Sequence, residues 1–198
     1  MRWPSFRSGS RPAAAPRAPL PSPAHLQTTD LCLRPAGSAD IAFLHRLWTD
    51  PAVLRDLWDG HLLAEEQSRD LVEGGVRLHA EQGLGLWLAR DRQQQPVGFV
   101  GLLLFRDAHE LELLYAVEPT CWMRGHARQM AAAMVAYGFD QLELRVLRAC
   151  TRPDNQASQR VLRRLGFARD PSPLANGKLG FPLPRPRPHS ADVDWEAA

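Results

Sequence analysis

The chain has 198 residues, enough for one domain with a sizeable core and too few for two large domains. Hydrophobic residues make up 44% and charged residues 23%, as in an ordinary soluble protein, and no apolar run approaches the ~20 residues of a membrane span. The net charge of +2 is too small to indicate specific binding to nucleic acid, and the three cysteines, Cys32, Cys121 and Cys150, form no C-x-x-C pair. We therefore expect a cytoplasmic protein with free thiols, no disulfide framework and no metal site.

The first 29 residues differ in composition from the rest of the chain. They contain four arginines and no acid, so they carry +4 and the remainder carries +2 − 4 = −2. Because this segment is rich in proline, alanine and serine and lacks apolar periodicity, we predict a disordered tail. An organelle transit peptide and an RNA-binding tail are alternatives, although prolines disfavour the amphipathic helix of a transit peptide. We place the folded domain at residues 30–184 and a flexible tail at residues 185–198.

Apolar periodicity predicts elements in the order β-α-α-β-β-β-α-β-α-β. Ser38 is predicted to cap the first helix, and Leu71, Val72, Val76 and Leu78 form the apolar stripe of the second. Strands are predicted at residues 31–35, 84–90, 97–105, 110–117, 142–151, 167–169 and 179–183. Helices are predicted after Ser38, at residues 65–82 and 125–139, and from Asp154 or Asn155 to residue 165. This order indicates a mixed α/β sheet flanked by helices.

One predicted helix begins with cations where acids are usual. Arg124, His126 and Arg128 lie at its start, and no acid occurs at residues 119–139. Because a helix N-terminus carries a partial positive charge, these side chains oppose the dipole unless an external anion binds there. Gly125 would let such an anion approach the backbone closely. We interpret the segment as a phosphate site, with an exposed and slightly unfavourable helix start as the alternative.

A second segment, Asn155-Gln-Ala-Ser-Gln-Arg-Val-Leu-Arg-Arg-Leu-Gly-Phe167, is predicted to form a capped helix that leads into a strand. Packing and capping do not explain why Ser158 and Arg160 accompany Asn155. The segment resembles motif B of the GNAT acetyltransferases, in the RimJ/RimL branch of ribosomal-protein N-terminal acetyltransferases. Upstream, Trp122-Met-Arg-Gly-His-Ala127 resembles the pyrophosphate loop of the same family.

The resemblance covers about residues 30–170 and implies a GNAT fold. In that fold a mixed, mostly antiparallel sheet splays into a V between its central strands, and acetyl-CoA lies in the gap as co-substrate. The implied cofactor contacts come from one strand end, from the pyrophosphate loop and from motif B. They are Ala116, Val117, Met123, Arg124, Gly125, His126, Ala127, Arg128, Asn155 and Ser158.

The resemblance also implies how an amine would be acetylated. The attacking amine must be neutral, and amine pKa values range from about 8 to above 10, so a base has to take its proton. Glu112 occupies the acid position of the family's strand and is the candidate base, with Glu110 as second choice and a surface carboxylate as the alternative reading. Leu162 replaces the tyrosine that protonates the thiolate in many members, so Ser158 is implied as the substitute.

Some positions depart from the family pattern. Met123 and Leu114 stand where the branch usually has glycine, and residues 180–184 place two prolines in the last strand. The main hypothesis is an N-acetyltransferase that acts on a primary amine, either a protein N-terminus or a small molecule. A catalytically weak acyl-CoA-binding sensor or partner protein and an RNA- or ribosome-associated protein are the alternatives. Both a monomer and a homodimer are compatible with the sequence.

Overall fold

A computed structural model of the chain describes residues 23–105, 110–174 and 176–186. Its helices are α1 (Ile41–Thr49), α2 (Pro51–Leu54), α3 (Glu65–Gln82), α4 (His126–Asp140) and α5 (Gln156–Arg164). Its strands are β1 (Leu26–Gln27), β2 (Cys32–Pro35), β3 (Gly85–Arg90), β4 (Pro96–Phe105), β5 (Glu110–Val117), β6 (Val146–Thr151) and β7 (Leu179–Pro184).

The strands form one sheet in which β1 to β7 follow one another in sequence order. All neighbours are antiparallel except β5 and β6, which pair in parallel. That parallel pair has a single point of register, Glu112 opposite Arg148, whereas β4 and β5 are in register over eight pairs. The predicted mixed sheet is confirmed, and its central strands separate beyond Glu112.

Apolar side chains fill both faces of this sheet. One face packs against α4 and α5 through residues such as Met130 and Leu162, which are fully buried. The other face packs against α1 and the first half of α3. Trp48 lies in this second core, where its ring meets those of Trp58 and Phe99 edge-on at centroid distances of 5.5 and 5.6 Å.

The second predicted helix has the predicted bounds, because α3 covers Glu65–Gln82. Its apolar stripe was predicted wrongly at one position, since Val76 is 42% exposed. The buried face instead contains Gly75, where an added Cβ would lie 3.7 Å from the side chain of Leu86. That distance is an ordinary contact, and the close approach of α3 to β3 depends instead on Gly85, where an added Cβ would lie 2.7 Å from the Gly75 carbonyl oxygen.

The predicted cap of the first helix is also wrong. Residues Ser38–Asp40 form a 3₁₀ turn, and α1 begins only at Ile41. Asp40 accepts hydrogen bonds from the Gly37 amide at 2.9 Å and from the Arg34 guanidinium at 2.8 and 2.7 Å. Burial raises the pKa of Asp40, but the hydrogen bonds from Arg34 and Gly37 outweigh it and hold the pKa below its ordinary value.

Two predicted strand segments have other roles. Residues 142–145 precede β6 and cap α4 instead, because the amides of Leu142 and Leu144 donate to the carbonyls of Tyr137 and Gly138. Residues 167–169 lie beside β7 without forming a regular strand. There the Ala168 amide donates to the carbonyl of Pro182.

The last strand is confirmed at Leu179–Pro184 in spite of its two prolines. Arg185 donates its amide to the carbonyl of Arg145, so the odd-numbered residues of β7 face β6. Pro182 and Pro184 therefore direct their backbone to the outer edge of the sheet. A missing amide there removes no bond to β6.

The described residues continue beyond both predicted ends of the domain. β1 lies within the segment predicted as a tail, and Thr28 donates through Oγ1 to Gln129 Oε1 at 2.8 Å. The tail prediction for residues 1–22 and 187–198 falls outside the described residues. None of the helices in the described ranges is both long and apolar enough to cross a membrane.

Candidate active site

A cavity of about 620 Å³ opens where β5 and β6 separate. Its walls come from the end of β5, the loop and helix start at residues 121–128, the end of β6, the N-terminal half of α5, and α2 with the residues after it. The widening follows from the single point of register between the two strands, because backbone groups beyond that point have no partner strand.

The end of β5 presents alternate backbone groups to this gap. Glu118 donates its amide to the carbonyl of Val97, which places the even-numbered residues in hydrogen-bonded pairs with β4. Ala116, a predicted cofactor contact, therefore pairs its backbone with Phe99 and contributes its side chain to the cavity wall. The backbones of Tyr115 and Val117 face the gap.

The loop before α4 is held against β5 by a tryptophan. Trp122 donates through its indole Nε1 to the Val117 carbonyl at 2.8 Å, so this carbonyl is occupied while the Val117 amide is turned to the gap. Met123 has φ +63° and a side chain that is 98% exposed. This non-glycine residue therefore lies in the left-handed region of backbone conformation, next to the Trp122 anchor.

The start of α4 has the character of an anion site. Gly125 is its N-cap with φ +79°, and an added Cβ there would meet nothing within 4 Å. No acid occupies the first turn, and the Gln129 amide makes the first bond of the helix, to the carbonyl of Gly125 at 3.1 Å. The predicted contacts that line the cavity here are Met123, Gly125, His126, Ala127 and Arg128, whereas Arg124 is outside the wall.

Motif B supplies the opposite wall. Asn155 caps α5 by accepting a hydrogen bond from the Ser158 amide at 2.9 Å, and both side chains line the cavity. The Oγ of Ser158 lies 2.9 Å from the hydroxyl of Tyr115 on β5. Burial raises the pKa of Tyr115 to about 12, although the hydrogen bond with Ser158 lowers it in part. Leu162 is fully buried at the position where a tyrosine is usual in the family.

Glu112 lies on the other face of β5 from Tyr115. It is 9% exposed, and its Oε1 is 2.6 Å from the thiol Sγ of Cys150 on β6. Cys150 is part of the cavity wall, whereas Glu112 is not. A group in the cavity therefore reaches this carboxylate past Cys150 or through water. The side chain of Glu110 lies outside the described residues.

The segment after α2 contributes charged side chains to the cavity wall. Asp56 forms ion pairs with Arg55 at 3.4 Å and with Arg152 at 3.7 Å, and Arg152 is also 3.1 Å from Asp154. These contacts join the α2 segment to the turn before α5. Among the described residues, no group of three or more histidine, cysteine or acidic side chains is arranged to hold a metal ion.

Sequence reasoning missed Tyr115, Cys150 and the α2 segment as parts of the site. Strand alternation would have placed Tyr115 with Val117 on one face of β5. No local signal points to Cys150 or Asp56, because they reach the cavity through contacts with β5 and with Arg152.

Residues 30–168 match the family model described as the acetyltransferase (GNAT) domain. The chain is 26% identical over 147 residues to the uncharacterized N-acetyltransferase YoaA of Bacillus subtilis (strain 168), a match that covers 73% of this chain and 83% of the relative. An acetyltransferase from Agrobacterium tumefaciens str. C58 has a similar fold, with a TM-score of 0.71, 22% identity and coverage of 88% of this chain and 99% of that one. The RimL ribosomal L7/L12 α-N-protein acetyltransferase in complex with coenzyme A is also similar, with a TM-score of 0.65, 22% identity and coverage of 82% and 97%.

Proposed function

Because the chain belongs to the GNAT acetyltransferase family and is an N-acetyltransferase, we propose that it transfers the acetyl group of acetyl-CoA to a primary amine by direct attack on the thioester. The family expected from residues 122–127 and 155–167 is confirmed. One observation carries the proposal: the gap between β5 and β6 opens beside a helix start that has unpaired amides and no acid.

The helix start fits the pyrophosphate of CoA. The amides of Gly125, His126, Ala127 and Arg128 point along the axis of α4, and the guanidinium of Arg128 adds a full positive charge. Open space at Gly125 allows a phosphate to approach the backbone. Arg124 and Met123 support this site through their backbone and flank it. Asn155 contacts the pantetheine arm from the opposite wall.

The thioester carbonyl lies against the end of β5. The Val117 amide faces the gap and donates to the carbonyl oxygen, on which negative charge develops as the amine attacks. Trp122 holds this segment by its bond to the Val117 carbonyl. Ala116 adds only apolar surface, because its backbone groups pair with β4.

Glu112 takes the proton of the amine. Its carboxylate lies on the face of the sheet that packs against α1 and α3, so the acceptor approaches from that side, past Cys150. A proton moves from the amine to the carboxylate directly or through one water. The buried position of Glu112 keeps this transfer away from bulk solvent.

Ser158 and Tyr115 protonate the departing thiolate. Ser158 gives its hydroxyl proton to the sulfur as the carbon–sulfur bond breaks, and it takes a proton in turn from Tyr115, whose hydroxyl lies 2.9 Å from Ser158 Oγ. Because the pKa of Tyr115 is raised to about 12, its hydroxyl stays protonated at neutral pH and remains a donor. Ser158 and Tyr115 together take the role of the motif B tyrosine, whose position in the sequence is occupied here by Leu162.

The acceptor is a primary amine at a protein N-terminus or on a small molecule. The similarity to RimL supports an α-amino group, which loses its proton more readily than a lysine. The enzyme acts in the cytoplasm, as a monomer or a homodimer. The second candidate function, a weakly active acyl-CoA sensor, is favoured by Met123 and Leu114 at family glycine positions and by the position of Glu112 off the cavity wall.

Ligand-dependent unfolding and product formation test the proposal together. Acetyl-CoA at 100 times its Kd should stabilise the fold by about 2.7 kcal/mol in a thermal shift assay, and ATP, which lacks pantetheine, serves as control. Acetylated products are then measured by mass spectrometry with a panel of N-terminal peptides, polyamines and amino acids. Binding with product supports the enzyme, and binding without product on the whole panel supports the sensor. No shift at millimolar acetyl-CoA refutes both.

A further inference from the structure

A thiol stands between the cavity and the buried carboxylate of β5. Cys150 lies on β6 two residues beyond Arg148, the one point of register with β5, so it is at the place where the two strands begin to separate. Its Sγ donates to Glu112 Oε1 at 2.6 Å. Cys150 is part of the cavity wall and Glu112 is not, so a molecule in this part of the cavity meets the thiol before the carboxylate.

Cys150 and Glu112 have the arrangement of a nucleophile beside its base. A carboxylate within hydrogen-bond distance can take the thiol proton, and the thiolate is the form of cysteine that attacks carbonyl carbon. Thiols lose their proton at about pH 8.5 and lysine amines at about pH 10.4. A base that can serve an amine in this cavity can therefore also serve the thiol beside it.

The other two cysteines lack one or both of these features. Cys121 also lines the cavity, but its Sγ lies 3.8 Å from the Thr120 hydroxyl, and no carboxylate of the described ranges contacts it. Cys32 is outside the cavity wall, and its Sγ accepts from the Gln27 side-chain amide at 3.3 Å. All three thiols are partly buried and free of disulfides, so burial alone does not distinguish Cys150.

A separate feature of the same wall indicates that the cavity holds a ligand. His126 is 7% exposed and lines the cavity, and among the residues that the structure describes its Nδ1 has no hydrogen-bond partner. Buried polar atoms are almost always hydrogen-bonded in a complete site, so a bound group is expected beside this one. The thiol of Cys150 therefore faces a cavity that is incomplete without its ligand.

We propose that Cys150 is a self-acetylation site, whose thiol takes the acetyl group of acetyl-CoA when no acceptor amine is bound. Glu112 takes the Sγ proton, and the sulfur attacks the thioester carbonyl carbon. A bond forms between this sulfur and the acetyl carbon, and the bond from that carbon to the CoA sulfur breaks. The CoA thiolate takes up one proton while Glu112 releases one, so one thioester replaces another without oxidation or reduction.

This inference rests on the proposed function, because it presupposes acetyl-CoA in the gap and Glu112 as the base. It adds a second acceptor on the face of the sheet from which the amine approaches, since Cys150 lies on that route. Thioester and thiol are exchanged for thioester and thiol, so the reaction is reversible. Free CoA should therefore take the acetyl group back.

Mass spectrometry of the full-length protein tests the inference. The protein is incubated with acetyl-CoA at neutral pH without an amine, quenched in acid, weighed intact and then mapped by peptide. Cys150 should gain one acetyl group about 10²-fold faster than Cys121, which is the lower end of what a general base contributes to a rate. Excess CoA should then remove the group, and a label on Cys150 that CoA does not remove would contradict the exchange.

Three variants separate the activated thiol from unspecific labelling. Cys150→Ser should abolish the fast label, because a hydroxyl is a far weaker nucleophile at neutral pH. Glu112→Gln should slow labelling of Cys150 about 10²-fold and leave labelling of Cys121 in the same protein unchanged. Cys32→Ser is the matched control outside the cavity wall and should leave the rate at Cys150 unchanged. Circular dichroism verifies folding, and calorimetry gives the Kd that corrects each rate for bound acetyl-CoA.

The outcomes distinguish the inference from the function on which it rests. If the protein binds acetyl-CoA and acetylates an amine while Cys150 is labelled no faster than Cys121, self-acetylation is refuted and the acetyltransferase proposal stands. If Glu112→Gln labels Cys150 at the unmodified rate, the carboxylate does not activate the thiol and the inference is also refuted. If acetyl-CoA does not bind, the proposed function fails and the inference fails with it.

Discussion

Removal of the Tyr115 or Ser158 hydroxyl should lower kcat without lowering the affinity for acetyl-CoA. The two oxygens are 2.9 Å apart on facing walls of the cavity. Because burial raises the pKa of Tyr115 to about 12, against the smaller opposing effect of the Ser158 hydrogen bond, the phenol keeps its proton over the assay range. On the proposed proton path, Ser158 donates to the thiolate and is reprotonated from Tyr115.

The expected magnitude follows from the chemistry of the leaving group. A general acid contributes 10²- to 10⁴-fold to a rate, and a thiol with a pKa of about 8.5 leaves readily, which places the effect at the lower end. Ser158→Ala should lower kcat about 10²-fold, equivalent to about 2.7 kcal/mol. Tyr115→Phe should lower it about tenfold, because Ser158 still has a proton to give. The double variant should be no slower than Ser158→Ala, since both residues act on one proton path.

Initial rates of thiol release between pH 6 and pH 10 measure these effects. The defect of Ser158→Ala should shrink above pH ~8.5, where a thiolate leaves without needing a proton. Tyr137→Phe is the matched control, because the Tyr137 hydroxyl donates to the Gly83 carbonyl at 2.8 Å and does not line the cavity. Its kcat should stay near that of the unmodified enzyme.

Two results would refute this proton path. One is a Ser158→Ala variant with unchanged kcat at pH 7, which would show that the thiolate leaves without help from motif B. The other is a double variant whose defect equals the product of the two single defects, because independent effects multiply and effects on one path do not.

Three further predictions concern the helix start, the fold and the base. Gly125→Ala should weaken acetyl-CoA binding while kcat at saturation changes little, because a methyl group would enter the space beside the amides. Gly177→Ala is the matched control, because Gly177 has φ +78° where Gly125 has +79° and both have open surroundings. The control should show the same backbone strain and no change in the Kd for acetyl-CoA by calorimetry. Asp40→Asn should lower the free energy of unfolding by about 2 kcal/mol at pH 7. Since the folded pKa of Asp40 lies below its ordinary value, this contribution is present above about pH 4 and is lost as the pH falls through the folded pKa. Urea unfolding should therefore show a smaller difference in stability between the two proteins at pH 3 than at pH 7. An equal difference at both pH values would contradict the ion pair. Glu112→Gln should reduce turnover most at low pH, where the amine is charged, and a defect that does not vary with pH would remove Glu112 as the base.

Local patterns predicted the elements whose own residues decide them. The bounds of α3 and β5 agree with the predicted ones, because helical and alternating periodicities are properties of short stretches of chain. Predictions failed where a distant or neighbouring group competed for the same atoms. Residues 142–145 have the sequence pattern of a strand, yet amides from this segment donate hydrogen bonds to carbonyls in the last turn of α4. Ser38 is a good capping residue, yet α1 begins only after Asp40, whose carboxylate binds Arg34 and the Gly37 amide and makes no capping bond to α1.

The two motifs were sufficient to predict the family, because the order and spacing of Trp122 to Ala127 and of Asn155 to Phe167 can be read directly from the sequence. The helix start without an acid was likewise predictable, since the charge at a helix start depends only on neighbouring residues, and anion binding there stays a prediction. Only the tertiary structure brought together the two hydroxyls of the proposed proton path: Tyr115 and Ser158 are 43 positions apart and meet because β5 and α5 form facing walls. It also placed Glu112 behind Cys150 on the other face of the sheet. No local pattern determines which strands separate, because that depends on the register between β5 and β6 over the whole fold.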